Sequence, residues 1–348
     1  MIKIGSRNTI TDVPGLKVGT AHDAAVRTGV TVLLPNDRAV AAVDVRGGGT
    51  GTRDLELLGS DGTIDAVDAL VLSGGSAFGL AAADGVAGWL SEHGRGFPVG
   101  DIRVPLVPAA ILFDLLNGGD KTGYANEPDD ALPYRALARQ AVETAGLDLA
   151  DGTIGAGYGA TTTGHDGRRL KGGQGSASVV LDGRVTVGAL AAVNAVGSVV
   201  ANESGQFLAG AYEQGYEFGG RGGPASLENF EHPLDKYGTP AESGNTTLAI
   251  VATNVALDQR QARRVAMMAQ AGLARAIRPI FAPMDGDVVF ALSTGQQSLA
   301  ETGDLGRIGM VAADCLARAV ARSVFHAVAL DEEWNDYATS YGSGNGAE

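Results

Sequence analysis

The chain has 348 residues, enough to bury a large core as one big domain or two ordinary ones. Its net charge of −14 argues against a nucleic-acid binder, and no apolar run is long enough to span a bilayer. Glycine, with 52 residues, is about twice its usual share and points to close backbone approaches between layers.

In chain order, the opening Met1-Ile2-Lys3-Ile4-Gly5-Ser6-Arg7 lacks the apolar block and cleavage site of a secretory signal. Strands are predicted over residues 28–34, 39–45 and 69–72. Their Val, Ile and Ala runs are nearly continuous, as expected of strands covered on both faces. Ser73-Gly74-Gly75-Ser76 reads as a glycine turn feeding a helix over 78–90, and 135–145 is an amphipathic helix. Further strands are expected at 179–181 and 185–193.

Residues 216–243, rich in Gly, Pro, Glu and Asn, read as a flexible loop that would precede a cleavage site. A strand over 247–253, a helix over 258–276, a strand over 288–293 and one or two helices over 305–328 follow. Cys315 lies inside the last of these as a packing residue. A lone cysteine forms no internal disulfide, which fits a reducing, cytoplasmic setting. Residues 331–348 read as a frayed tail. Strands and helices alternate throughout and no linker breaks the pattern, so the expectation is one α/β domain over 1–348.

Four places can carry chemistry. Gly244-Asn245-Thr246-Thr247 delivers a threonine to the start of a buried strand. A threonine hydroxyl needs a base, and one way to supply it is to make the residue a new N-terminus whose amine takes the proton. Met284-Asp285-Gly286-Asp287 sets two carboxylates two residues apart before a strand, either as a solvated turn or as a pair sharing protons. Asn194, at the exit of an apolar strand, either caps a turn or offers an amide donor to an oxyanion. Lys171, beside Gly172-Gly173, either lies on the surface or assists proton transfer. The glycine turns at Gly47-Gly48-Gly49, Gly118-Gly119 and Gly155-Ala156-Gly157 match neither nucleotide-binding fingerprint. His22, His93, His165, His232 and His326 are scattered, so neither a metal nor any other cofactor is expected. A Gly-x-Ser-x-Gly nucleophile elbow is absent.

Taken in order, these motifs resemble the self-processing aminopeptidases of the DmpA type, which include β-peptidyl aminopeptidases and nylon-oligomer hydrolases. The resemblance starts at Ile10-Thr11-Asp12-Val13-Pro14-Gly15 and runs through Val45-Arg46-Gly47-Gly48, Gly74-Gly75-Ser76-Ala77-Phe78-Gly79 and Lys171-Gly172-Gly173-Gln174-Gly175. It closes with Gly244-Asn245-Thr246-Thr247 and Met284-Asp285-Gly286-Asp287. It implies a four-layer α-β-β-α sandwich and a precursor cut between Asn245 and Thr246 into an α-chain, 1–245, and a β-chain, 246–348. By the same resemblance Thr246 maps onto the nucleophile and Asn194 onto the oxyanion donor. Asp285 and Asp287 map onto the orienting pair, with Lys171 beside them. Gly75 and Phe78 fall on the substrate side, where Phe78 replaces a tyrosine common in relatives. The implied partner is a small peptide, amide or ester with a free amine, and the implied assembly is a tetramer of αβ heterodimers. An ornithine-type acyltransferase and an uncleaved binding protein are the alternatives of similar architecture.

Overall fold

A computed structural model describes the chain except residues 60–61, 127–131, 228–243, 300, 333 and 343–348. The first strands are β1 (Ile2–Ile4), β2 (Leu16–Asp23), β3 (Thr28–Pro35), β4 (Ala39–Val45), β5 (Gly51–Arg53), β6 (Ala66–Val67) and β7 (Leu70–Ser73). Next come β8 (Phe97–Val99), β9 (Ile102–Val104), β10 (Ala109–Ile111), β11 (Thr161–Thr163) and β12 (Arg169–Lys171). The last are β13 (Gly173–Leu181), β14 (Val185–Asn194), β15 (Thr246–Val255) and β16 (Val288–Gln297). The helices are α1 (Ala82–Glu92), α2 (Gly123–Asn126), α3 (Tyr134–Glu143), α4 (Gln259–Ala276), α5 (Thr302–Phe325) and α6 (Tyr337–Tyr341).

Two sheets form the body. A seven-stranded sheet runs β1-β13-β14-β15-β16-β4-β6, and a five-stranded sheet runs β2-β3-β7-β10-β5. Strand alternation divides the apolar residues between three cores. Leu248 and Ile250 of β15 point between the sheets, where they meet Leu33 and Leu72. Ala249 and Val251 point outward against α4 and α5, at Ala266 and Leu316. On the far side, Val30 and Val71 pack under α1 and α3, at Val86 and Ala138. The layers are therefore helices, sheet, sheet, helices, as the resemblance implied. Glycine brings them close: a Cβ on Gly175 of β13 would lie 2.2 Å from the Ala319 carbonyl oxygen of α5.

Three readings need adjusting. The strand expected at 179–181 extends back to Gly173, because its glycines and serines carry no apolar signal but pair in register with β14. Of the loop at 216–243, the front is packed, and 228–243 lies outside the described residues. Phe218 is buried, and Glu213 accepts the N–H groups of Phe218 and Gly220 at 2.8 and 2.9 Å. The tail is also docked as far as α6, where fully buried Tyr337 stacks on Phe207 with ring centroids 4.6 Å apart; 343–348 lies outside the described residues. Cys315 is buried as expected of a packing residue, and burial pushes its thiol up to about 12.

A charged cluster is enclosed beneath α5. Arg318, with no exposed surface, donates to both oxygens of Glu217, while Arg322 bridges Glu217 and Asp151. Isolated charges do not survive such burial, and here each guanidinium has carboxylate partners.

Candidate active site

The seven-stranded sheet brings the marked residues to one end. Antiparallel pairing of β14 and β15 sets Asn194 directly opposite Thr246. Leu190, Ala192, Leu248 and Ile250 all face the inter-sheet core, so by alternation Asn194 and Thr246 face it too. Strands β15 and β16 are parallel, so both begin at this end, and Asn245 bridges to Asp285 just ahead of them. Thr246 is 2% exposed, and Asn194, Asn245, Asp285 and Asp287 are fully buried.

The contacts converge on one carbonyl. Thr246 Oγ1 donates to the Asn245 oxygen, and the Gly286 N–H donates to the same oxygen at 2.8 Å. Asn245 N–H in turn donates to Met284 O at 3.4 Å. Asn194 accepts the Thr161 N–H at its Oδ1 (2.9 Å) and donates from Nδ2 to Phe113 O (2.8 Å). Asp287 holds the Thr247 N–H at 2.8 Å and the Phe281 N–H at 2.9 Å, so it clamps the start of β15. Burial raises its carboxyl to about 6, against the lowering effect of those two donors. Asp285 accepts the Val196 N–H at 3.4 Å.

Other marked residues take unexpected places. Lys171 is neither at the surface nor turned to Thr246. Its Nζ donates to the carbonyls of Gly157, Ala160 and Gly172 at 3.1, 2.9 and 2.7 Å, which uses all three protons. Burial pulls this ammonium down to about 7, opposed by the charge of Asp114. It reaches the site indirectly, through Ala160 and the neighbouring Thr161 N–H that orients Asn194. Gly75 (φ 87°) gives its N–H to buried Asp114 at 2.7 Å, and Phe78 is 41% exposed with its edge on Tyr124. The triple glycine is a cradle for backbone. Gly49 N–H donates to Asp285 O at 2.7 Å, and a Cβ on Gly47 would lie 2.2 Å from Asp287 N. Three glycines after a strand signal such an approach in sequence. The Gly286 amide and Phe113 carried no such signal. Among the described residues no group of three or more His, Cys, Asp or Glu could hold a metal ion, and no helix is long and apolar enough to cross a membrane.

The profile of peptidase family S58 matches residues 8–335. The chain belongs to that family. An uncharacterized aminopeptidase of Mycobacterium tuberculosis is 43% identical over 343 residues, covering 92% of this chain and 94% of its own. A 6-aminohexanoate-oligomer endohydrolase of Agromyces is 31% identical over 293 residues, with 84% and 76% of the two chains covered. The L-aminopeptidase D-Ala-esterase/amidase of Ochrobactrum anthropi, described as a variant of the Ntn-hydrolase fold, superposes with a TM-score of 0.64. That match covers 93% of this chain and 88% of the other at 20% identity, which speaks for a shared fold. The DmpA resemblance thus holds, and this S58 chain is a hydrolase of peptide bonds, which favours hydrolysis over the acyltransferase alternative.

Proposed function

We propose that the chain is a self-processing N-terminal-threonine aminopeptidase, cut between Asn245 and Thr246 into 1–245 and 246–348. The observation that carries this reading is the Asn245 carbonyl, touched at once by Thr246 Oγ1 and the Gly286 N–H. In the cut, Oγ1 adds to the carbonyl carbon while the Gly286 N–H steadies the charge that develops on oxygen. The C–N bond then breaks and the hydroxyl proton passes to the departing Thr246 nitrogen. An ester between Asn245 and Thr246 Oγ1 remains. Water splits it, which restores the threonine hydroxyl and leaves a carboxylate on Asn245.

In turnover the freed α-amine takes the Oγ1 proton as Thr246 attacks a substrate carbonyl. That proton leaves with the amine product, and the acyl group stays on Thr246 until water releases it. Asn194 is the second oxyanion donor, a kind of contact worth roughly 3–4 kcal/mol of barrier. Its orientation by Thr161 supports that role. Asp287 positions β15, and Lys171 acts through the 157–160 turn that it gathers.

The substrates are small peptides, amides or esters with a free amine. The relatives named for aminopeptidase, D-alanine esterase and 6-aminohexanoate-oligomer activity mark out the panel to screen. Assembly into tetramers of αβ pairs is checked by light scattering. Thr246→Ala is expected to leave one uncut chain without activity. Two bands from that variant on a denaturing gel would remove Thr246 as the attacking group.

A further inference from the structure

Gly244 and Asn245 occupy, in the uncut chain, the seat that the acyl side of a substrate takes later, because the attacked carbonyl belongs to Asn245. That equivalence rests on the proposed scission between Asn245 and Thr246. Asn245 is enclosed there, with its N–H toward Met284 O and its carbonyl toward Gly286 N–H. One residue further back stands Phe113. A Cβ added to Gly244 would lie 2.9 Å from both Cβ and Cγ of Phe113 and 3.0 Å from its Cδ2. Carbon atoms in contact rest at about 3.5–4.0 Å. The Gly244 backbone lies outside the left-handed region, so its conformation would accept alanine. Phe113 refuses the side chain through its Cβ and its ring alike.

Phe113 has little freedom to retreat. Its carbonyl receives Asn194 Nδ2 at 2.8 Å. The next residue, buried Asp114, accepts Thr28 Oγ1 and the Gly75 N–H, both at 2.7 Å. On the other side the Leu112 N–H donates to Ser73 O at 2.8 Å.

We propose that Phe113 is a specificity-determining wall that accepts glycine and refuses a side chain on the residue just before the one whose carbonyl is attacked. The substrates it admits are aminoacyl amides and acyl groups with glycine at that position. Acyl groups with a side chain on their second residue are refused.

The test is a double-mutant cycle on self-cleavage, followed by mass spectrometry of parent, Thr246→Ala, Gly244→Ala, Phe113→Gly and the Gly244→Ala/Phe113→Gly pair. Gly244→Ala is expected to slow scission at least about ten-fold in the parent, the scale of one overpacked methyl. In the Phe113→Gly background, which removes both the Cβ and the ring, the same change is expected to cost less than about three-fold. Equal penalties in both backgrounds, or none in the parent, overturn the wall. A parent that never cuts overturns the scission reading instead. Mature enzyme gives a second readout: the kcat/KM of Ala-Ala-p-nitroanilide relative to Ala-p-nitroanilide rises at least about ten-fold in Phe113→Gly. An unchanged ratio overturns the proposal. Phe113→Ala, which removes the ring and keeps the Cβ, repeats both arms with a smaller relief expected, and failure of both variants to fold would assign Phe113 to structure and overturn it as well.

Discussion

Asp287 has both carboxylate oxygens committed to backbone N–H groups, of Thr247 and Phe281, and so holds the start of β15 in place. Its folded pKa, about 6, lies above the ordinary 3.8. Such a carboxyl contributes most to stability when protonated in both states, below about 4, and that contribution is lost as pH rises through about 6. The margin by which the parent exceeds Asp287→Ala in urea unfolding is therefore expected to narrow between pH 4 and 7. A constant margin would show that the carboxyl titrates normally. At this scale much of the site was legible: Thr246, Asn194, Asp285 and Asp287 do gather at one end of the sheet. What escaped the sequence was work done by backbone. Nothing in the letter for Gly286 announces an N–H aimed at a carbonyl. Nor does Lys171 show that its partners are carbonyls of a distant turn.

Strands β3, β4, β14, β15 and β16 were readable because sheets covered on both faces demand unbroken apolar runs. Helix α4 was equally plain, with Asp258 capping it and Gln261 closing the capping box. The short strands β5 and β6 and the Gly-Ser half of β13 were not, since pairing partners rather than composition define them. The turn before β16 shows how two elements share one tight space. A Cβ on Gly286 would lie 2.7 Å from Thr246 Oγ1 and 2.8 Å from Gly49 O. Gly286→Ala is thus expected to shift the turn against both neighbours and to slow the proposed scission at least about a hundred-fold, the effect of a misplacement near 1 Å. Time courses of band conversion on denaturing gels measure it. Parental kinetics in that variant would show that the turn yields freely.

Across the whole molecule, the buried cluster under α5 ties segments far apart in sequence, joining Glu217 and Asp151 to Arg318 and Arg322. Glu217→Ala leaves an enclosed guanidinium short of its partner and is expected to cost about 3–5 kcal/mol in urea unfolding. A loss below about 1 kcal/mol would mean that water reaches the cluster and screens it. The proposed cut also divides the large sheet in an interleaved way. Strands β15 and β16 come from 246–348, yet β14 flanks them on one side and β4 on the other, both from 1–245. Neither product of the cut could assemble its share of the sheet alone, and the smaller one would present two bare apolar edges, a template for aggregation. The proposed cut would therefore have to come after folding, as a late edit to a finished object. Encoding 1–245 and 246–348 on two separate genes should accordingly yield inclusion bodies, whereas the same two polypeptides, if cut from one translated chain as proposed, should stay dissolved together.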